Sequence, residues 1–288
     1  MSSRILPEFE LLPHDIDEAV KMLGLHQGKA SIMAGGTDLL VMMGDGFRAD
    51  YVLSLGNIPD LAYIIEESGK WLRIGAMTTL AEVAESKVVQ EKYTALWQSA
   101  AQNGSPQTRN MGTVVGNLLR ASPSGDCCCA VLALDGWVVL EGPQGRREVA
   151  IDDFWLEYRA TARRPDEIAV EVKLPDVKGN TTSAFRAMTR TTLDLAKLNA
   201  AVRLDMSGKQ CENARVAIGA VAPTTIRVRK AEELIRGKEI NEETLEEVGK
   251  VVSTEVSPID DVRSTAEYRR TISGVLVKRV IEEACKGV

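Results

Sequence analysis

Hydrophobic and polar positions along this chain repeat with more than one period. Within residues 15–23, Ile16, Ala19, Val20 and Leu23 share one face at helical spacing, behind the polar start His14-Asp15. The apolar run Ala30-Ser31-Ile32-Met33-Ala34 predicts a buried strand that stops at Gly35-Gly36. Thr37-Asp38 then opens a helical turn through Leu39, Leu40, Val41 and Met42. A further strand at Tyr51–Leu55 completes a small strand–helix–strand unit. The pattern next predicts strands at 61–65 and 71–74, helices at 79–85 and 89–101, a glycine-bearing loop from Asn103 to Asp126, and strands at 137–140, 148–151 and 168–174. The polar, turn-rich interval Pro175–Asn180 marks a domain boundary, giving a first domain over 1–177 and a second over 181–288. In the second, antiparallel strands at 183–188, 200–206 and 213–221, the last two joined by a tight turn at Ser207-Gly208-Lys209, precede helices at 228–236, 242–254 and 265–286. That order predicts a sheet with helices packed on one side.

Composition narrows the task. With 288 residues, 44% hydrophobic and 26% charged, the chain is neither disordered, collagen-like nor a small disulfide-stapled domain. A net charge of −6 argues against a general nucleic-acid binder. The sequence has no apolar run of about 18 residues, the length that would predict a membrane span, and Met1–Glu10 lacks the basic flank and apolar stretch of a secretory signal. Five cysteines, three of them consecutive at Cys127, Cys128 and Cys129, do not form the spaced, even-numbered pattern of a secreted framework, so a reducing, cytoplasmic setting is expected. Only two histidines, His14 and His26, are present, which disfavours His-rich zinc hydrolysis.

Two segments carry candidate chemistry. In Ile32-Met33-Ala34-Gly35-Gly36-Thr37-Asp38-Leu39-Leu40, a strand end meets two glycines and a helix start, where free backbone N–H groups suit a diphosphate. The spacing is neither a Walker motif nor a three-glycine dinucleotide fingerprint. In Arg109–Leu119, continuing to Ser122-Pro123-Ser124-Gly125-Asp126, glycine alternates with small and hydroxyl residues, and Asp126 is placed to accept from ribose hydroxyls. Either segment alone reads better as a plain turn or surface loop; two in one domain favour a long nucleotide ligand.

Taken together, Met33–Leu40, Arg109-Asn110 with Gly112-Thr113-Val114-Val115-Gly116-Asn117, and Ser122-Pro123 with Asp126 resemble the two flavin loops of the molybdenum hydroxylase flavoproteins. These are the FAD-binding (medium) subunits of the xanthine dehydrogenase and carbon monoxide dehydrogenase type. Ala184-Phe185-Arg186 followed by Arg190, Asp194, Ala196 and Lys197, and Gly219-Ala220-Val221-Ala222-Pro223-Thr224, extend the resemblance in the family's order over almost the whole chain. It implies an α+β fold: a two-part FAD-binding domain of the vanillyl-alcohol-oxidase (PCMH) type, then an antiparallel sheet with packed helices.

The resemblance further implies non-covalent FAD. Ile32 to Leu40, and within them Ala34, Gly35, Gly36, Thr37 and Asp38, would cradle the pyrophosphate; Gly112, Thr113, Gly116, Asn117 and Leu119 would lie along the flavin or its diphosphate. Asp126 would meet the adenosine side, Ile168-Ala169 would press on the cofactor, and Arg186 would take a place the family usually gives to lysine. Val115 stands where the family usually has the first glycine of Gly-Gly-Asn, and the cysteine triplet stands where a proline is common. Successive helical residues point about 100° apart, so the three thiols are expected to be buried small apolar groups, not cluster ligands.

The function implied is an electron-transfer subunit. It would pass electrons from [2Fe-2S] clusters on a small partner subunit through FAD to an acceptor such as NAD, while a molybdopterin-binding large subunit hydroxylates xanthine or another N-heteroaromatic. A self-contained FAD oxidoreductase and a non-enzymatic nucleotide-binding module are the alternatives. The residues do not specify the substrate, the acceptor or the stoichiometry of the complex.

Overall fold

A computed structural model of the chain describes Pro7, residues 9–26 and residues 28–286; most of the N-terminal stretch read above for a targeting signal lies outside the described residues. The N-terminal unit is a parallel three-stranded sheet in the order β1 (Phe9–Leu11), β3 (Tyr51–Ser54), β2 (Ala30–Met33), with α1 (Ile16–Leu25) and α2 (Leu39–Gly44) in its connections. Asp15 caps α1 by accepting from the Glu18 N–H at 2.7 Å, while Glu18 accepts from the His14 N–H at 2.7 Å. The predicted face Ala19, Val20 and Leu23 is the buried one.

A second sheet is antiparallel throughout, in the order β4 (Ile64–Glu67), β5 (Trp71–Gly75), β10 (Ile168–Pro175), β6 (Trp137–Gly142), β7 (Gly145–Ala150). Strand β10 lies at its centre and is buried from Ile168 to Leu174, including two charged residues. Each is neutralised in place: Glu171 accepts from Arg73 Nε at 3.0 Å and from the Tyr63 hydroxyl, and Lys173 pairs with Glu148 at 2.7 Å. The six helices α3 (Leu80–Glu85), α4 (Lys87–Lys92), α5 (Thr94–Gln102), α6 (Pro106–Arg109), α7 (Val114–Arg120) and α8 (Asp126–Ala133) intervene in sequence between β5 and β6. A small antiparallel pair, β8 (Trp155–Glu157) with β9 (Ala160–Thr161), follows β7.

The C-terminal region is an antiparallel sheet in the order β11 (Thr181–Met188), β12 (Leu198–Ser207), β13 (Gln210–Gly219), β14 (Ile226–Arg227), followed by α9 (Arg229–Ile235), α10 (Glu242–Glu255) and α11 (Ala266–Cys285). Strand alternation sorts its side chains. Leu198, Ala200, Val202 and Leu204 join a core with the C-terminal helices, whereas Phe185, Ala201 and Ala217 join the N-terminal core, on the face covered by α5 and α8. The domain's own helices α9–α11 therefore pack on one side of this sheet, as the pattern predicts; the other face is covered by α5 and α8 of the N-terminal half, which the local pattern of 181–288 could not reveal. Gly274 lets α10 and α11 touch, since a Cβ there would sit 2.2 Å from the Gly249 carbonyl oxygen.

Departures from the predicted pattern have local causes. The helix predicted over 89–101 is broken at Tyr93 (φ −125°, ψ 51°), whose ring is buried and whose hydroxyl donates to the Pro175 carbonyl at 3.2 Å; tertiary burial overrides helix continuation. Half of the expected loop 103–126 is helical, because Ser105 and Thr113, read as loop formers, are N-caps of α6 and α7. The strand expected from Leu61 starts at Ile64, and the short strands β1, β8, β9 and β14 were not legible at all.

Candidate functional site

The segment after β2 packs directly on the segment before α7. A Cβ on Gly35 would lie 1.6 Å from the Met111 carbonyl oxygen, so only glycine permits this approach; Gly36 follows in the left-handed region at φ +71°. The Leu80 N–H donates to the Gly112 carbonyl at 2.8 Å and ties the second segment to α3. Thr113 is extended, and its hydroxyl accepts from the Gly116 N–H at 3.0 Å. Among the described residues, the backbone N–H groups from Gly35 to Leu39 meet no acceptor, and neither do those of Thr113 and Val115. Such a run of unmet donors suits an anionic ligand lying along the main chain. The diphosphate of a dinucleotide matches that donor set, so these residues fit FAD.

Cys128 lies beneath Asn117, donating its thiol to the Asn117 carbonyl at 3.6 Å. Burial pushes the thiol of Cys127 up to about 12 and holds those of Cys128 and Cys129 well above the ordinary value, so all three are protonated, inert groups in the core. Among the described residues no set of three or more His, Cys, Asp or Glu is arranged to hold a metal ion.

Asp126 begins α8 and belongs to the junction of the two halves. Its carboxylate accepts from Asn199 Nδ2 at 2.7 Å and from Asn103 Nδ2 at 3.4 Å. Burial pushes the carboxyl up to about 6, against the lowering effect of those two amide bonds. Asn199 also donates to the Ser124 carbonyl, and Gly219 and Ala220 lie against Pro123, where the Ala220 N–H donates at 2.7 Å. Two recesses flank the paired segments. One of about 640 Å³ is lined by Ile58, Leu61, Met77, Thr79, Glu82 and Asn110. The other, of about 610 Å³, opens between α5–α6 and the segment 189–194 and includes Arg109 and Asp126.

The predicted site residues thus divide. Met33 to Leu40 and Gly112 to Leu119 converge, and Ile32 leads into them on β2. Ile168 and Ala169 are buried in the central strand β10. Arg186 is exposed and paired with Glu283 of α11, next to Ala187, which lines the interdomain recess. Sequence reasoning missed Asn199 and Arg120. The signal for Asn199 was a lone amide in an apolar strand; Arg120, which donates from Nε to Asp38 at 3.1 Å, carried no signal before the two segments were seen together.

Known proteins decide the family. Residues 8–177 match the model described as the FAD binding domain in molybdopterin dehydrogenase, and residues 183–284 match the CO dehydrogenase flavoprotein C-terminal domain. The chain belongs to the molybdopterin dehydrogenase flavoprotein family. It is similar to the carbon monoxide dehydrogenase medium chain of Hydrogenophaga pseudoflava, 33% identical over 282 residues covering 97% of this chain and 98% of that one. It is also similar to the xanthine dehydrogenase FAD-binding subunit of Escherichia coli O157:H7, 30% identical over 261 residues and 89% of each chain. Among solved structures, carbon monoxide dehydrogenase from Hydrogenophaga pseudoflava, in a form lacking the Mo-pyranopterin moiety of its cofactor, superposes with a TM-score of 0.95 at 31% identity over 98% of both chains. As a family member this flavoprotein is an oxidoreductase subunit with an FAD-binding PCMH-type domain followed by the C-terminal domain. Among the described residues no helix is long and apolar enough to cross a membrane.

Proposed function

We propose that this flavoprotein is the electron-transfer subunit of a cytoplasmic molybdenum hydroxylase, receiving electrons from [2Fe-2S] clusters on a small partner and delivering them, by way of FAD, to NAD. The large partner would hold molybdopterin and hydroxylate an N-heteroaromatic of the xanthine type. The observation that carries the reading is the run of acceptor-free N–H groups from Gly35 to Leu39, packed against Met111 and Gly112. The names of the two relatives support the class of complex, and the Escherichia coli one supports the purine preference.

FAD, when bound, supplies the exchange between single-electron and paired-electron transfer. The chain's own residues hold and orient it. Gly35 to Leu39, with Thr113 and Val115, offer backbone donors to the diphosphate. Gly112, Gly116 and Asn117 shape the wall beside them, with Leu119 and the strand residues Ile168 and Ala169 as apolar support. Asp126, where residues 1–177 meet residues 181–288, accepts from a sugar hydroxyl, and Arg186 sets charge at the edge of the recess.

The test is to purify the chain from its native host under mild conditions. The reading requires one FAD per chain, released by acid denaturation, co-purification with an iron–sulfur subunit, and rapid reoxidation by NAD in stopped flow. A chain without flavin refutes the cofactor assignment. A flavin reoxidised only by oxygen or ferredoxin refutes the NAD assignment alone.

A further inference from the structure

Arg120 closes α7 and has no part in the reading above. Its Nε donates to Asp38 Oδ1 at 3.1 Å, and its side chain is only 19% exposed. Three other ion-paired arginines are exposed by less than a fifth, and in each both Nη atoms have acceptors. Arg203 donates to Asp135 and Asp205, Arg227 to Asp152 and Glu232, and Arg269 to the Ile259 carbonyl and Asp261. Among the described residues neither Nη of Arg120 has one. The fork is not sealed in the core: the Arg120–Asp38 bond lies at the surface, so water can meet the two Nη atoms and an arriving anion can replace that water.

The position of its single partner says which anion. Asp38 lies within the same segment, Gly35 to Leu39, whose backbone N–H groups lack acceptors among the described residues, and its carboxylate does not cap α2. Left alone, that carboxylate would repel a diphosphate bound along the segment. Arg120 cancels its charge and keeps a planar pair of donors free, the geometry that suits phosphate oxygens.

We propose that Arg120 binds the diphosphate of FAD, oriented for that role by Asp38; this rests on the FAD assignment above. Apoprotein of the full chain is titrated with FAD by flavin fluorescence, with ADP as a competitor that lacks the flavin ring. Arg120→Met is expected to weaken FAD and ADP in parallel, by about 10- to 100-fold, and to flatten the dependence of FAD affinity on salt. Arg120→Lys, which keeps the charge without the fork, should recover part of the loss. Asp38→Asn should change FAD affinity by no more than about threefold, because the orienting bond and the like-charge repulsion disappear together. Unchanged FAD affinity in Arg120→Met overturns the proposal. So does a loss of equal size in Asp38→Asn with no further loss in the double variant, which would make Arg120 only a tether for the loop. Failure of the unaltered chain to bind FAD would instead sink the cofactor assignment, and melting curves of the apoproteins separate either result from misfolding.

Discussion

Gly35→Ala is the sharpest probe of the paired segments. The added Cβ would sit 1.6 Å from the Met111 carbonyl oxygen and 2.4 Å from its carbon, both backbone atoms that no rotamer change can move. Restoring ordinary contact requires the segments to part by about 2 Å. In the apoprotein they can do so at modest cost. In the complex they must stay together to present both sets of N–H donors, so the overpacking penalty of about 1–3 kcal/mol falls on binding. The bond from Leu80 N–H to the Gly112 carbonyl adds about 1 kcal/mol if it is lost. A drop in FAD affinity of about 100-fold follows, with the apoprotein melting within a few degrees of the parent. Gly36→Ala makes the contrast: its Cβ meets the flexible ends of Leu40 and Met33 at 3.2 Å, and its main cost is the left-handed backbone, about 1 kcal/mol and about fivefold in affinity. Equilibrium titration with FAD, with calorimetric melting as control, reads both. If Gly35→Ala binds FAD as the parent does, the segments do not form one cradle.

Three further outcomes are expected. Asp135 accepts from Arg203 at 3.3 Å and Arg215 at 2.8 Å, with Arg227 at 3.5 Å; Arg203 keeps Asp205 and Arg227 keeps Asp152 and Glu232, so Asp135→Asn deprives only Arg215 of its carboxylate, and urea denaturation should show a loss of about 1 kcal/mol. Burial raises the Asp126 carboxyl from 3.8 to about 6, so the folded state holds its proton more tightly than the unfolded chain; the associated stability is present below pH 3.8 and is lost as pH rises through 6. Stability of the parent relative to Asp126→Asn should therefore fall between pH 4 and about 6 and level off above, and a flat difference would refute the burial of a titrating carboxyl. Cys127, Cys128, Cys129 and Cys211 are buried with raised thiols, so a disulfide reagent at pH 8 should modify only the partly exposed Cys285 before denaturant is added and all five cysteines after it.

Much of this molecule was legible in one dimension because its signals are local. Helical spacing placed the buried face of α1, and the apolar run before Gly35-Gly36 placed β2 and the turn that follows it. The cofactor segments could be found because a backbone that serves as ligand needs glycine and small residues in a fixed order, and the composition records that need. Where Ser105 and Thr113 were concerned the same residue types misled, since a hydroxyl that starts a helix and one that decorates a loop look alike without the N–H it accepts from.

The sequence by itself determined most of the longer strands and helices, the two glycine-bearing segments and the absence of spaced cysteine ligands. Only the tertiary structure decided that the Gly35 segment lies on Met111, that Asn199 reaches Asp126 across the junction, that helices cover both faces of the C-terminal sheet, and that Arg120 meets Asp38. The physical reason is sequence separation. Periodicity, capping and turn chemistry act over a few residues, whereas each of these contacts joins groups far apart along the chain, and which distant groups meet is set by how whole layers pack.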